Sequence, residues 1–192
     1  MSATLRVHHF LPASRANGPG VRAVLWTQGC SLACPGCFNP ETHTRQGGSD
    51  VPVADLLAAL RALPAEVEGI TISGGEPLQQ APALTNLLRE VRAQTPLSVI
   101  LFTGYTLAEI ETREALRGVL ECVDVVLAGR YDATLHVGRG LLGSANKELR
   151  CLTPRYRPED FADVPEAEVV VAPDGSIVLT GIAPLTWELP IL

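Results

Sequence analysis

The 192-residue sequence predicts an α/β fold: an open, partial (β/α) barrel of parallel strands with a C-terminal β-hairpin. Three observations lead there. Short apolar runs alternate with stretches whose apolar residues fall at helical spacing, the βαβ order that parallel strands with crossover helices require. The runs are continuously apolar, as in a sheet covered on both faces. The length also falls short of the ~250 residues typical of a full eight-unit barrel. One domain is expected over 1–192, with its core at about 3–153 and a tail at about 155–192.

The elements follow in order. "VRAVLWTQ" (21–28) reads as the first strand, and "VADLLAALRAL" (53–63) as a helix. "GITIS" (69–73) is a short β-branched strand. "APALTNLLREVRAQ" (81–94) is helical, with Pro82 tolerable in the first turn. "LSVILFT" (97–103) is a strand, "LAEIETREALRGVLE" (107–121) a helix weakened near its end by Gly118, and "VDVVLA" (123–128) a strand. The charged, Pro-rich "TPRYRPEDFADVP" then links to "EVVVAPDGSIVLTG" (168–181), whose two alternating runs flank Asp174-Gly175, a strong hairpin signal.

Composition narrows the function classes. Hydrophobic residues make up 46% and charged ones 19%, an ordinary globular balance. The formal charge is −6 and no basic stripe appears, which argues against nucleic acid as a partner. No apolar run reaches the length of a membrane span. The N-terminus lacks a basic stretch followed by a long apolar core, so no secretion signal is read and a cytoplasmic protein is expected. In a reducing compartment, five cysteines are not a disulfide framework, and a tight cluster of them is more often metal-binding or catalytic.

Such a cluster exists. "GCSLACPGC" (29–37) holds Cys30, Cys34 and Cys37 in the spacing C-x3-C-x2-C, in a stretch that Gly and Pro keep from being a helix or strand. Inert buried thiols are one reading. A zinc site is another, with His43 completing a Cys₃His tetrahedron. The third is an iron–sulfur cluster held by cysteine thiolates. Four thiolates would close every iron; three leave one iron open to a substrate or cofactor. Cys122 and Cys151 lie far off in sequence and read as structural thiols.

The predicted strand ends carry the other unusual segments. Gly74-Gly75-Glu76-Pro77 follows the second strand, Thr103-Gly104-Tyr105 ends and follows the third, and Gly129-Arg130-Tyr131 follows the fourth. In parallel α/β folds, sites form at the carboxyl ends of strands, so these segments converge with the cysteines on one edge. Glu76, between Gly75 and Pro77, is a candidate for binding a ligand amine. Gly74 and Gly75 would let backbone approach a ligand closely. Thr103, Gly104, Arg130 and Asn39 are further candidate contacts, Arg130 as a cation suited to a carboxylate. "GRGLLG" (138–143) and "GPGVRA" (18–23) match glycine-rich nucleotide patterns but lack the strand-before, helix-after context.

The cysteine spacing after a first strand, with "GGEP" after the next, resembles the radical S-adenosylmethionine superfamily. "NGPGVRAVLWTQGCSLACPGCFNPET", "ITISGGEPL", "FTGYTLAEI", "VDVVLAGRYDATL" and "LLGSANKEL" together, over roughly 7–150, resemble the activating enzymes of the anaerobic ribonucleoside-triphosphate reductase. The resemblance implies that Cys30, Cys34 and Cys37 hold a 4Fe–4S cluster whose fourth iron binds S-adenosylmethionine. One electron then yields a 5′-deoxyadenosyl radical, which abstracts hydrogen from a substrate. It implies that the Gly74-Gly75-Glu76-Pro77 segment contacts the cofactor's amino group, and it alone carries Ser144 and Asn146 as site residues. It implies a glycyl-radical enzyme as protein substrate and a flavodoxin or ferredoxin as electron donor. Two features depart from the family: Lys147 stands where it usually has Gln, and the tail from about 155 lies beyond its shortest members. A small radical enzyme modifying a metabolite or peptide is the alternative within the superfamily, and a zinc-binding module without catalysis the alternative outside it. A hairpin at 168–181 closing over the cysteines would favour a small substrate; one packed elsewhere leaves room for a protein to dock.

Overall fold

The computed structural model describes residues 3–171 and 174–182. A seven-stranded sheet forms the centre. In chain order its strands are β1 (Thr4–Ser14), β2 (Val21–Thr27), β3 (Ser49–Pro52), β4 (Val67–Gly74), β5 (Ser98–Thr103) and β6 (Val125–Ala128), joined later by β9 (Glu148–Cys151). The helices are α1 (Val53–Arg61), α2 (Ala81–Gln94), α3 (Leu107–Glu111) and α4 (Glu114–Leu120). Between β6 and β9 a small ribbon pairs β7 (His136–Arg139) with β8 (Leu142–Ser144), and the tail carries β10 (Ala167–Val171) and β11 (Ile177–Gly181).

The sheet order is β3-β1-β2-β4-β5-β6-β9. The middle four strands, β2, β4, β5 and β6, are parallel. Antiparallel strands flank them: β1 against β2 and β3 on one side, β9 against β6 on the other. The mixed α/β fold with a mostly parallel centre agrees with the expectation. The flanking antiparallel strands were not legible, because β1 is half polar and β3 and β9 are short, with half of their residues exposed and none buried.

The parallel strands are buried nearly throughout, as their apolar runs require. The helices all pack on one face. Leu56 and Leu60 of α1, Leu84, Leu87, Leu88 and Val91 of α2, Ile110 of α3 and Val119 of α4 share one core with Leu25, Ile70, Ile72, Val99 and Leu101. The opposite face is covered by coil and tail instead: Ile100, Val125 and Leu127 meet Leu141, Phe161 and Val164.

One helix expected over 107–121 is two. Thr106 caps α3 in a reciprocal box with Glu109, and Thr112 Oγ1 donates back to the Glu109 carbonyl. Arg113 is then extended, at φ −122° and ψ 108°. The apolar positions explain the break: Leu107 and Ile110 are buried, then nothing until Leu116 and Val119, so no buried side chain holds the turn between.

Arg22 lies on β2 with 0% exposure. Its guanidinium donates to Thr71 Oγ1 (2.8 Å), Ser98 Oγ (2.9 Å), Tyr156 Oη (3.0 Å), the Ile70 carbonyl (2.9 Å) and the Ser98 carbonyl (3.2 Å). Burial lowers its pKa, and hydrogen bonds take the place of water around it. Tyr156 thereby ties the start of the tail to the N-terminal ends of the strands.

The hairpin forms as expected, with Glu168 opposite Thr180, Gly175 at φ +85° and Asp174 Oδ1 accepting from Ser176. It is fastened to the turn between β1 and β2. Glu168 Oε2 accepts from Ser14 Oγ (2.6 Å) and from the Arg15 N–H (2.8 Å), and Asn17 Nδ2 donates to Thr180 Oγ1 (2.8 Å).

Candidate active site

The loop after β2 begins at Gly29, whose φ of +97° turns the chain out of the sheet. The Gly29 N–H donates to the Thr42 carbonyl (2.8 Å) and the Cys30 N–H to the His43 carbonyl (3.0 Å), so the loop is pinned where it leaves and where it returns. Gln28 adds two bonds, Nε2 donating to the carbonyls of Glu41 and Thr44. Inside, Cys37 N–H donates to the Cys34 carbonyl, and Ala33 and Gly36 take positive φ, which curls the loop so that Cys30, Cys34 and Cys37 line one cavity. Burial pushes the Cys30 and Cys37 thiols above their ordinary value. Backbone N–H groups of Leu32 and Ala33 at Cys30, and of Asn39 at Cys37, pull the other way.

The loop after β4 packs against the first. Gly75 N–H donates to the Thr27 carbonyl (2.8 Å) and Glu76 N–H to the Gly29 carbonyl (2.9 Å). A Cβ on Gly74 or Gly75 would run into the backbone of Thr27 or Gly29. These glycines let two loops touch, a constraint separate from the approach of any ligand. Glu76 is 1% exposed. Its Oε1 accepts from Leu78 N–H (2.9 Å) and Thr103 Oγ1 (2.8 Å), and its Oε2 from Gly104 N–H (2.7 Å). Burial still raises its pKa despite these three donors. Oε2 keeps acceptor capacity toward the cavity, which Glu76 lines together with Gly74, Gly75, Thr103, Gly104 and Asn39.

Two predicted contacts stand elsewhere. Pro77 is buried as the first residue of a 3-10 turn and is not among the cavity-lining residues. Arg130 lines an adjoining cavity that shares Leu32, Cys34 and Tyr131 with the first, and it forms a two-pronged ion pair with Glu109 (2.8 and 2.9 Å) that holds the Glu109 carboxyl at about 2. Asn146 lines that adjoining cavity too, its Nδ2 donating to the Arg130 carbonyl, whereas Ser144 is in neither wall and its Oγ accepts from Asp132 N–H. Cys122 and Cys151 are likewise outside it.

Sequence reasoning missed other lining residues. Trp26 and Phe102 project from the strands, and His8 and His9 come from the unread β1. Lys147 was singled out only as a departure from a resemblance, yet it reaches the same cavity, its ammonium donating to the Gly129 carbonyl at 2.7 Å. At the other end Val178, Thr180, Gly181 and Ile182 form part of the wall. The hairpin is fastened at Ser14 and Asn17, beside the start of β2, whereas the cysteines follow the end of β2. Its base walls the cavity from the far end of the strands, and its tip residues Asp174 and Ile177 do not line it.

The donor set can be tested against a metal centre. Among the described residues, no three His, Cys, Asp or Glu side chains converge where one metal ion could sit, so a Cys₃His tetrahedron with His43 is not formed. A four-iron cluster is several ångströms across and takes thiolates at separate corners, so it needs three thiols around a cavity, which this loop supplies. The desolvated thiols also require positive charge beside them to ionise. His43 Nε2, in the same wall, is buried without a hydrogen-bond partner among the described residues.

Comparison with known proteins gives the chain a family. The model of the 4Fe–4S single cluster domain matches residues 16–150. Three relatives each carry the name anaerobic ribonucleoside-triphosphate reductase-activating protein. The one from Vibrio cholerae is 30% identical over 156 residues, covering 78% of this chain and 99% of that protein. The one from Enterobacteria phage T4 is 34% identical over 144 residues (72% and 88%), and the one from Escherichia coli 31% over 133 residues (66% and 85%). The matched span includes both loops of the cavity, the Thr103-Gly104 turn and Lys147.

Proposed function

The chain belongs to the 4Fe–4S single cluster domain family, and from that premise we propose that it is a radical S-adenosylmethionine enzyme that generates a glycyl radical on a partner, an anaerobic ribonucleotide reductase. The observation that carries this is the meeting of the three-cysteine loop and the Gly74-Gly75-Glu76 loop in one cavity, in a chain whose relatives are activating proteins of that reductase.

Cys30, Cys34 and Cys37 hold the cluster. A cluster bound there would pass one electron, taken from the external donor, to S-adenosylmethionine, breaking the bond from sulfur to C5′ and giving methionine and a 5′-deoxyadenosyl radical. Glu76 would accept from the cofactor's amino group, on a carboxylate that three protein donors hold and that the Lys147 charge also favours. Thr103 and Gly104 act by holding that carboxylate in place. Gly74 and Gly75 bring backbone to the cavity edge, and Asn39 stands beside Cys37 in the wall. Arg130, held by Glu109, orders the rim. The sheet, with helices on one face and the cavity on the other, serves as an open partial barrel. The chain acts as one domain in the cytoplasm, with a flavodoxin or ferredoxin as electron donor.

A second reading, a small enzyme acting on a metabolite or peptide, is favoured by Val178, Thr180 and Ile182 in the cavity wall. The anchoring of the hairpin at the far end of the strands favours the protein substrate, because the cysteine end is left free for docking. The test is to mix reduced, reconstituted enzyme, S-adenosylmethionine and the anaerobic reductase of the same cell. A doublet in electron paramagnetic resonance from a glycyl radical supports the activase. Cofactor cleavage without that doublet moves the assignment to a small substrate.

A further inference from the structure

Lys147 is the chain's only lysine and the only lysine or arginine among the described residues that line the cavity. It comes just before β9, which pairs antiparallel with β6, and this brings it beside Gly129 at the carboxyl end of β6. The residue as a whole is half-buried, with the ammonium turned inward and losing hydration, which pulls its pKa down. Among the described residues the ammonium has one acceptor, the Gly129 carbonyl, and no ion pair; all five ion pairs found there use arginine. Its ionisable neighbours are Cys34 first, then Glu76 and Cys37.

A desolvated cation with one neutral acceptor is costly unless an anion joins it. The groups that can become that anion are the Glu76 carboxyl and the thiols, with Cys34 acting on the ammonium most strongly. We propose that Lys147 is a positioning residue that serves as the internal counter-charge of the metal centre, favouring negative charge at the Cys34–Cys37 end of the cavity and so easing one-electron reduction. The inference rests on the reading that Cys30, Cys34 and Cys37 hold a four-iron cluster. In the reduction, one electron passes from an external low-potential donor to the cluster. No bond at Lys147 forms or breaks and no proton leaves it. Its ammonium stabilises the added charge across a site that solvent screens poorly.

Two measurements test this. The first is the midpoint potential of anaerobically reconstituted protein, followed by absorbance or electron paramagnetic resonance, with iron per chain determined beforehand. Lys147→Gln and Lys147→Met should make reduction about tenfold harder, a fall of about 59 mV for one electron, and Lys147→Arg should stay near wild type. Equal potentials in all four proteins at equal iron content would overturn the proposal. The second needs no variant. As the only lysine, Lys147 can be followed with an amine-reactive probe in wild-type protein, with the N-terminal amine as internal reference. Loading with iron and sulfide should slow its modification at least about tenfold, because a neighbouring anion favours the ammonium and only the free amine is a nucleophile; unchanged labelling would sink the idea. Wild-type protein that takes up no iron would instead overturn the cluster assignment beneath it.

Discussion

Gly104 N–H donates to Glu76 Oε2 at 2.7 Å, so the turn after β5 holds the carboxylate that the loop after β4 presents. Thr103 Oγ1 and Leu78 N–H complete the set on Oε1. Glu76→Ala strands three donors in a buried place and should cost at least about 2 kcal/mol in urea unfolding. It should also abolish measurable binding of S-adenosylmethionine by calorimetry while iron content stays at wild-type level. Burial raises the Glu76 pKa above 4.5, so the folded state holds its proton more tightly than the unfolded chain. The stability of iron-free protein should therefore fall as pH rises from about 4.5 through the raised value and level off above it. Glu76→Gln should flatten that slope.

The five cysteines should divide three and two. Cys30→Ala, Cys34→Ala or Cys37→Ala should each abolish the roughly 400 nm absorption and bring iron from about four per chain to near zero. Cys122→Ala and Cys151→Ala should retain both, because neither thiol lines the cavity. Equal loss in all five would show that the absorption reports general folding.

Arg130 holds Glu109 at about 2, through two hydrogen bonds first and backbone and hydroxyl donors of Thr106 next. The folded value lies below the ordinary 4.5, so the stabilisation is present above pH 4.5 and lost as pH falls through about 2. In the Arg130→Gln protein the Glu109 carboxyl should titrate nearer 4.5 by carbon-detected NMR. The pair is partly exposed, so the stability change should stay within about 1 kcal/mol. An unmoved titration would mean that the ion pair is not populated in solution.

Arg22 and Tyr156 should be energetically coupled. Arg22→Met leaves Thr71, Ser98 and two buried carbonyls without their donor and should cost roughly 3 kcal/mol or more. Tyr156→Phe removes one hydroxyl and should cost about 1 kcal/mol. Made together, the two losses should fall short of their sum in a denaturant double-mutant cycle. Simple additivity would show that the hydroxyl does not reach the guanidinium.

Much of the fold and site can be read from local chemistry. α2 spans Ala81–Gln94, the same residues that the periodicity predicts, because its apolar stripe is complete. Asp174-Gly175 marks the hairpin by turn chemistry alone. The cysteine loop and Glu76 stand out because glycines next to strands leave few other roles. The rest depends on partners distant in sequence. β1 has a mixed pattern because it pairs on both edges and lends His8 and His9 to the cavity. Arg130 looks available until Glu109, 21 residues earlier, is placed beside it. Lys147 is invisible as a cavity residue until β9 turns back along β6.

The bonds between the two loops need no iron. Gly75 to Thr27 and Glu76 to Gly29 join the second loop to the first, Gly29 to Thr42 and Cys30 to His43 close the first on itself, and all four are backbone hydrogen bonds. Loss of a cluster held at the three cysteines would then leave these four bonds in place. The three thiols would then still face one cavity, ready to take up iron and sulfide again.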